Sequence, residues 1–468
     1  MIEKMTSFSV HEQPIPESEQ VAVALNPRMI GPLLDQLFRL EVERTEGQKG
    51  ATGAQSQPSE CRILDAKYEP GSYCRILYEL GDQLVTGTYK WDSDHSQTPE
   101  TAIVIPSLGM QVYRFPNDPA LPSLTKAIDP QVISAALAEA VPEFQTGAAR
   151  ILRCDVKLLR FRPARRCTLR LRVWLRENKS GAIVKRVLYG KIYHDLEKAG
   201  HVYQQMQSLS SSNPAKNGHV SFATASAFLP DLAMVLQDPI EGIPLDSMIS
   251  CETEAGDSRG FVGTVAAASA LAALHTSGLA AGKPRSINSE LARFKKRGAR
   301  IGQVNPELGD NIIKLAGALS AWLDTLEQWG ATSCLIHGDC KPAQFLIKDG
   351  QAALLDFDHC GMADPAVDVG TFLATLQQMK VRQTMKNRGK RARCTDWLPG
   401  LKRQFLEAYC TASGAPSGFW QRAEWYEAVA LLRKAIRGFE RSPFSPPPDA
   451  LLAEAWKGLE TLPPPLQA

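Results

Sequence analysis

Runs with strand character crowd the first half of the chain, and helical spacing takes over in the second. Residues 155–161, 167–175 and 187–193 are short runs with β-branched and aromatic side chains, which predict strands. Further strands are expected at 221–228 and 234–245. Upstream, Met29, Leu33, Leu34, Leu37 and Leu40 recur at helical spacing. They predict one amphipathic helix over 18–46, followed by a Gly/Gln/Ser linker over 47–59. From 261 onward the pattern is helical: 261–277, 309–328, 365–379, 395–412, 418–439 and 449–460.

One hairpin signal interrupts the helical half. Asp349-Gly350 lies between the apolar runs Phe345-Leu346-Ile347 and Ala352-Ala353-Leu354-Leu355, as a two-residue turn would. Lys348 then faces Gln351, Ile347 faces Ala352, and Gln344 faces Leu355, next door to Asp356. Directly opposed residues have Cβ atoms roughly 5 Å apart. An amide oxygen and a carboxylate therefore meet at the open end of the hairpin. These are hard donors of the kind Mg²⁺ takes along with phosphate oxygens and water. Asp339, at the start of the loop leading in, is within reach of the same point. A free carboxylate there can orient a hydroxyl and accept its proton. The plainer alternative is an ordinary hairpin with an acidic rim, and the convergence of three polar groups speaks against it.

At these residues the chain resembles the aminoglycoside phosphotransferase and choline kinase-like family, the small-molecule branch of the protein-kinase-like fold. His337-Gly338-Asp339 is similar to that family's HGD. Leu355-Asp356-Phe357-Asp358 is similar to its (I/L)D(F/W)(D/E/G) strand end, and Asp364-Pro365-Ala366-Val367-Asp368 to the DPxxD that follows, in the same order and spacing. The resemblance spans residues 150–440. It implies an α+β, bilobal architecture with an antiparallel-sheet N-lobe and a helical C-lobe, in which the alanine-rich helix near 261–277 is buried. It places Asp339 as the catalytic aspartate and Asp356 as the main Mg²⁺ ligand. Lys341 resembles the lysine that protein kinases hold near the γ-phosphate. Gln344 stands where the family usually has Asn; it keeps the ligating oxygen and adds one methylene, as in a glutamine-bearing subgroup of phosphotransferases.

Such a fold also needs a strand lysine for the α- and β-phosphates of ATP. Lys191 is the candidate, although by itself it reads as an ordinary solvent-facing strand residue. The helix that follows offers Gln204 where a glutamate partner normally stands, and Glu197 is the nearest acid. No GxGxxG or Walker pattern is present. Instead, Arg165 and Arg166 occupy a turn after Arg162-Pro163-Ala164, where guanidinium groups suit a triphosphate as well as they suit solvent. The hinge is read near Leu236, Gln237 and Asp238, the candidates to meet adenine, and Glu241-Gly242-Ile243-Pro244-Leu245 is similar to a Glu-Gly-x-x-Leu of the family. Asp364 with Pro365 forms an N-cap and first-turn pair for the helix that carries Asp368.

The arginine turn also exposes an internal repeat. Cys61, Lys67-Tyr68, Pro70 and Cys74 align without a gap on Cys154, Arg160-Phe161, Pro163 and Cys167. Downstream, Thr86-Gly87-Thr88-Tyr89 resembles Tyr189-Gly190-Lys191-Ile192. Thr88 replaces the lysine, and Ser72-Tyr73 replace the two arginines. The expected organisation is an N-terminal helix and linker (1–59), a degenerate N-lobe-like repeat (60–145), the N-lobe (150–238) and the C-lobe (239–468). Chance likeness between two hairpins is the alternative to the repeat.

Composition changes little in this picture. A chain of 468 residues with 44% hydrophobic content and net charge +3 is long enough for two or three packed units. No apolar signal segment opens the chain, and the most apolar stretch is too short to span a bilayer. The ten cysteines contain no CxxC pair and are expected to be reduced, which together points to a cytoplasmic protein without a membrane partner. Cys334, His337, Cys340, His359 and Cys360 have zinc-like spacing, but His337 is already explained by the loop motif. The basic run 380–393 is either an anion-favouring part of the acceptor pocket or a solvated loop; it lacks the aromatic interleaving of a nucleic-acid surface. The expected activity is ATP- and Mg²⁺-dependent phosphoryl transfer to a hydroxyl of a small molecule, such as a sugar, an amino alcohol or an aminoglycoside-like compound. The alternative is a non-catalytic pseudokinase serving as a nucleotide-binding scaffold.

Overall fold

Two antiparallel sheets built in the same strand order organise the first half of the computed structural model, which describes residues 16–46, 59–91, 102–212, 220–249, 259–386, 397–443 and 449–465. The chain enters through α1 (Glu17–Ala24) and α2 (Pro27–Glu46). The single helix expected over 18–46 is thus two. Pro27 cannot continue the hydrogen-bond ladder of α1, but it suits the first turn of α2, where Asn26 Oδ1 accepts from Arg28 N–H at 3.1 Å.

The first sheet contains β1 (Cys61–Glu69), β2 (Tyr73–Leu80), β3 (Gln83–Lys90), β4 (Ile103–Ile105) and β5 (Met110–Arg114), ordered β1-β2-β3-β5-β4. Next comes α3 (Pro130–Ala140), N-capped by Asp129. The second sheet follows with β6 (Ala149–Arg162), β7 (Arg166–Glu177) and β8 (Ile183–Tyr193). After α4 (Leu196–Ser210) and the short β9 (Ser221–Phe222), it is completed by β10 (Ala225–Leu229) and β11 (Met234–Gln237). Its order is β6-β7-β8-β11-β10.

The likeness of the two sheets extends to register. Cys74 pairs with Tyr89 as Cys167 pairs with Ile192, and Ile76 with Gly87 as Leu169 with Gly190. Across the next ladder Gly87 faces Val112 and Gly190 faces Leu236. A methionine demands each glycine: a Cβ on Gly190 would lie 2.6 Å from Met234 Sδ, and one on Gly87 would strike Met110. Gly71 and Ala164, equivalent in the two turns, both have positive φ, 68° and 55°. Thr88, buried, occupies the place of Lys191, and Tyr73 that of Arg166. Each sheet has a helical layer. Ile30 and Leu34 of α2 join Ile76 and Tyr78 in one core, and Ile133 and Leu137 of α3 join Leu169 and Val173 in another.

The strand expected over 221–228 is also two: β9 pairs in parallel with a C-lobe strand, while β10 pairs with β11. β11 ends at Gln237, and β12 (Ile243–Pro244) is already part of the C-lobe. Beyond it lie α5 (Arg259–His275), α6 (Ile287–Gly302) and α7 (Pro306–Ser320), then β13 (Cys334–Ile336), β14 (Phe345–Lys348), β15 (Gln351–Leu354) and β16 (Gly361–Ala363). The chain closes with α8 (Ala366–Lys386), α9 (Leu398–Ser413), α10 (Phe419–Arg441) and α11 (Asp449–Thr461). The sequence pattern had not indicated α6. Ser286 caps it through Ser289 N–H, and Leu291, Phe294 and Ile301 bury one face. The helix expected over 309–328 breaks at Ala321–Trp322. Residues 387–393 of the basic run lie outside the described residues. Among the described residues no helix is long and apolar enough to cross a membrane.

Two contacts fix α8 against α10. Gly370 lets the backbones touch, since a Cβ there would lie 2.5 Å from the Tyr426 carbonyl carbon. Arg422, fully buried, donates from Nε to Asp364 Oδ2 at 3.0 Å and from Nη1 to the Trp329 carbonyl. Asp364 Oδ1 in turn accepts from Ala366 N–H at 2.9 Å, so the expected cap is present and is anchored from outside the helix. Because backbone rather than a flexible side chain meets the new methyl, Gly370→Ala is expected to cost about 1–3 kcal/mol. A lowered thermal midpoint with unchanged far-ultraviolet circular dichroism would verify this.

Candidate active site

The hairpin has the expected register. Phe345, Leu346, Ile347 and Lys348 face Leu354, Ala353, Ala352 and Gln351, and Leu355 N–H donates to the Gln344 carbonyl at 2.9 Å. Asp349 and Gly350 take φ of 51° and 77°, the pair of positive values that a type I′ turn requires. Gln344 and Asp356 consequently meet at the open end, with Gln344 Nε2 donating to Asp356 Oδ2 at 3.1 Å. The amide nitrogen and oxygen are near-isosteric, so a half-turn of the last torsion presents Oε1 at the same place. Asp356 itself has a left-handed backbone, φ 66° and ψ 63°, uncommon for a residue with a Cβ. That conformation swings the chain out of β15 into the turn Phe357–His359.

Asp368 fixes the loop that carries Asp339. Its carboxylate is fully buried and accepts from the backbone N–H of His337 at 2.5 Å and of Gly338 at 2.8 Å. A third donor is His275 Nε2 at 3.1 Å, whose Nδ1 accepts from Tyr409 hydroxyl at 2.7 Å. Burial pushes the Asp368 carboxyl up, but the His275 hydrogen bond and the charges and amides around it hold it below the ordinary carboxylate value. His337 points back to the hairpin. Its Nδ1 accepts from Asp339 N–H at 3.3 Å, which leaves Nε2 to donate to the Leu355 carbonyl at 2.7 Å. Gly338 (φ 76°) is needed because a Cβ would run into the His359 carbonyl.

Asp339 is half-buried and takes a 2.6 Å hydrogen bond from Lys341 Nζ. Burial raises its carboxyl, and the Lys341 ammonium more than reverses this, holding it below the usual range. It is thus ionised at neutral pH. Asp339, Asp358 and Asp356 all attract the His359 ring, while burial drags that imidazole down to about 4.

The second sheet supplies the cations. Lys191 Nζ donates to Asp356 Oδ1 at 2.6 Å and to Asp358 Oδ1 at 2.7 Å. Arg166 Nη1 donates to Asp358 Oδ2 and lies 3.5 Å from Asp356 Oδ1. Tyr193 hydroxyl completes the shell of Asp358 at 2.7 Å. Burial pushes Asp356 up, and Lys191 and Arg166 hold it far below the carboxylate range. The helix after the lysine plays a different part from the one expected: Gln204 and Glu197 are both exposed, and α4 instead offers Lys198, whose Nζ donates to the Asp358 carbonyl. Asp358 does the work expected of a helix carboxylate. Arg165 is exposed beside Arg166 on the turn. Leu236 is buried within β11, Gln237 Nε2 reaches Met206 Sδ at 3.4 Å, and Asp238 accepts from Arg186 at 3.0 Å and Ser226 at 2.6 Å.

Cys340 is fully buried and its thiol is pushed well up by burial, so it is a neutral packing group. The eight cysteines among the described residues are free. Among those residues no three His, Cys, Asp or Glu side chains gather as a metal cage. A further group escaped the sequence reading because helix packing assembles it: Lys434 and Arg437 of α10, which the Asp339 carboxylate attracts. Lys434 donates to Gln378 of α8 at 3.4 Å. Burial drags its ammonium down to about 7 against the attraction of Asp339, with Lys341, Arg437 and Arg433 adding repulsion.

The family model described as "Phosphotransferase enzyme family" matches residues 165–426. Among solved structures, macrolide 2'-phosphotransferase MphH from Brachybacterium faecium is similar at 17% identity, covering 68% of this chain and 98% of its own, with a TM-score of 0.41. Choline kinase from Cryptosporidium parvum is similar at 10% identity, covering 70% and 95%, with a TM-score of 0.48. A glucosamine kinase in complex with glucosamine, ADP and inorganic phosphate covers 96% of this chain and 100% of its own, at 14% identity and a TM-score of 0.44. No curated protein matches the chain.

The depressed Lys434 implies a pH-dependent cost. The unfolded chain binds a proton there up to about pH 10.5 and the folded one only to about 7, so folding becomes easier as pH rises between the two. Lys434→Met removes the penalty. Its thermal midpoint is expected to exceed wild type by most at pH 6–7 and by progressively less toward pH 10, as a calorimetric pH series would reveal.

Proposed function

Because the chain belongs to the phosphotransferase enzyme family, we propose that it transfers the γ-phosphoryl group of ATP, with Mg²⁺, to a hydroxyl of a small molecule. The observation that carries this reading is the meeting of Gln344 and Asp356 at the hairpin's open end, with Lys191 of the other lobe 2.6 Å from Asp356. Both donors offer hard oxygens, which fits a magnesium ion better than a zinc. Asp356 and Gln344 would hold that ion, whose charge would offset the phosphate oxygens. Lys191 and Arg166 carry two positive charges against two carboxylates, so the cluster is balanced. On nucleotide binding the two cations would pass to phosphate oxygens, leaving Asp356 to the metal and Asp358 with the Tyr193 hydroxyl.

Asp339 is the residue to accept the acceptor's proton. It is ionised, fixed through His337 and Asp368, and partly open to solvent. The acceptor oxygen attacks γ-phosphorus and forms the new O–P bond. The bond from that phosphorus to the bridging oxygen breaks, ADP leaves with the electron pair, and the hydroxyl proton goes to Asp339. Lys341, 2.6 Å from Asp339, supplies positive charge beside the transferred group. Leu236, Gln237 and Asp238 are the hinge residues we assign to the adenine, and Arg165, exposed on the outer turn, is the residue we assign with Arg166 to the triphosphate. We read 60–145 as a half-copy of the N-lobe without phosphate-binding side chains, since Thr88 and Tyr73 replace Lys191 and Arg166. ATP as donor and free thiols are consistent with a cytoplasmic setting.

The competing reading, a non-catalytic nucleotide-binding scaffold, draws on Gln344 and on the exposed Gln204. Two measurements separate them. ATP should raise the thermal midpoint of the wild type more with Mg²⁺ than without, and Asp356→Asn should abolish that difference. Asp339→Asn should lower the rate of ATP turnover by roughly 10²–10⁴-fold while ATP still shifts the midpoint. Metal-independent binding, or equal turnover by wild type and Asp339→Asn, would establish the scaffold instead.

A further inference from the structure

Resting on the phosphotransferase reading and deepening it, we propose that the acceptor carries an anionic oxyanion group, a carboxylate or a phosphate, which Lys434 and Arg437 of α10 hold beside Asp339. Arg433, Lys434, Arg437 and Arg441 are spaced so that their side chains share one side of α10, with neighbours three and four apart. The Asp339 carboxylate attracts both Lys434 and Arg437.

The neighbouring acids are already committed. Glu290 accepts from Arg433 at 2.6 Å, and Glu440 accepts from Arg297 of α6 at 2.8 Å. Glu69, which β1 brings to the rim, serves Lys67 at 2.6 Å and Arg300 at 3.3 Å. Asp339 itself is held by Lys341. This leaves Lys434 with only the neutral Gln378 and leaves Arg437 without an ion-pair partner among the described residues. At the end of β6, burial, with repulsion from Arg160, Arg166 and Arg441 set against the attraction of Asp65, drags Arg162 down to about 10. An uncompensated positive field at the place where the hydroxyl must approach Asp339 repels a cationic acceptor. It attracts one whose own negative charge supplies the missing partner. Arg437 can grip an oxyanion in a bidentate manner, and Lys434 can add a point charge. The nucleotide's phosphates are served from the other side of the cleft by Lys191 and Arg166, so the two sets of cations have separate anions to bind.

The test uses the full-length chain with ATP and Mg²⁺ and matched acceptors: glucose, glucosamine, glucuronate and glucose 1-phosphate, then glycerol, choline and glycerate. Rates of ADP release above the acceptor-free rate are compared. The anionic member of a set is expected to have a kcat/KM at least tenfold above the neutral one, with the cationic member lowest. Glucuronate and glycerate against glucose 1-phosphate tell carboxylate from phosphate. Lys434→Met and Arg437→Met should raise KM for the anionic acceptor at least tenfold and leave KM for ATP within twofold. Arg437→Glu, at a solvent-exposed position, should invert the preference toward the cationic member.

Transfer to neutral or cationic acceptors only would overturn the anionic acceptor and leave the phosphotransferase intact. A rise in KM for ATP rather than for the acceptor would reassign the cations to the nucleotide and also overturn it. If no acceptor stimulates ADP release, the phosphotransferase reading is what fails. In that case, a saturable midpoint shift by glucuronate or glucose 1-phosphate, absent with glucose and lost in Arg437→Glu, would still support the anion site. No such shift would end it.

Discussion

A single buried carboxylate holds the candidate active site of this protein in shape. Asp368 takes hydrogen bonds from two successive backbone amides of the His337-Gly338-Asp339 loop and from His275, all inside the C-lobe. An ionised carboxylate without solvent is costly, and only a full set of donors makes it tolerable. The loop therefore has little freedom to move without leaving that charge unpaired. His337 transmits the constraint to the hairpin through the Leu355 carbonyl, one residue before Asp356. The base candidate and the metal-ligand candidate are thus tied to one anchor, and α8, which carries it, is in turn pinned by Arg422 and Asp364.

Across the cleft the logic changes from hydrogen-bonded backbone to exchangeable charge. Lys191 and Arg166 come from adjacent strands and close on Asp356 and Asp358. This bridge joins the lobes with groups that can each trade one oxygen partner for another. A structural ion pair in the same place would favour apolar replacement; a site that must accept phosphate and release it has a reason to keep mobile, balanced charge. The first sheet shows the contrast. With Thr88 and Tyr73 in the equivalent places, it keeps the strand order and the glycine–methionine contact and loses the charges.

Much of this was legible in the sequence for local reasons. The hairpin register follows from Asp349-Gly350, because a two-residue turn fixes every opposed pair by counting. The likeness of the two sheets could be read because proline and glycine occupy positions that backbone geometry restricts. The breaks were less legible. Pro27 divides a helix whose apolar spacing runs on without interruption, and α6 was missed although Ser286 and the buried face of Leu291, Phe294 and Ile301 mark it. Asp358 stayed in the shadow of Asp356, since nothing in a linear pattern tells which of two nearby acids a distant lysine will choose.

What the sequence by itself determined is the set of short-range facts: the turn, the alternation within strands, the cap at Asp364, and hence the meeting of Gln344 with Asp356. These depend on residues a few positions apart, where covalent geometry leaves few choices. Tertiary structure alone decided the long-range pairings. Lys191 found Asp358 rather than a glutamate on α4, and α10 brought Lys434 and Arg437 up to Asp339. Such contacts join segments scores of residues apart, and packing of whole helices and sheets, with the requirement that no buried charge stand alone, selects among partners that the sequence lists as equals.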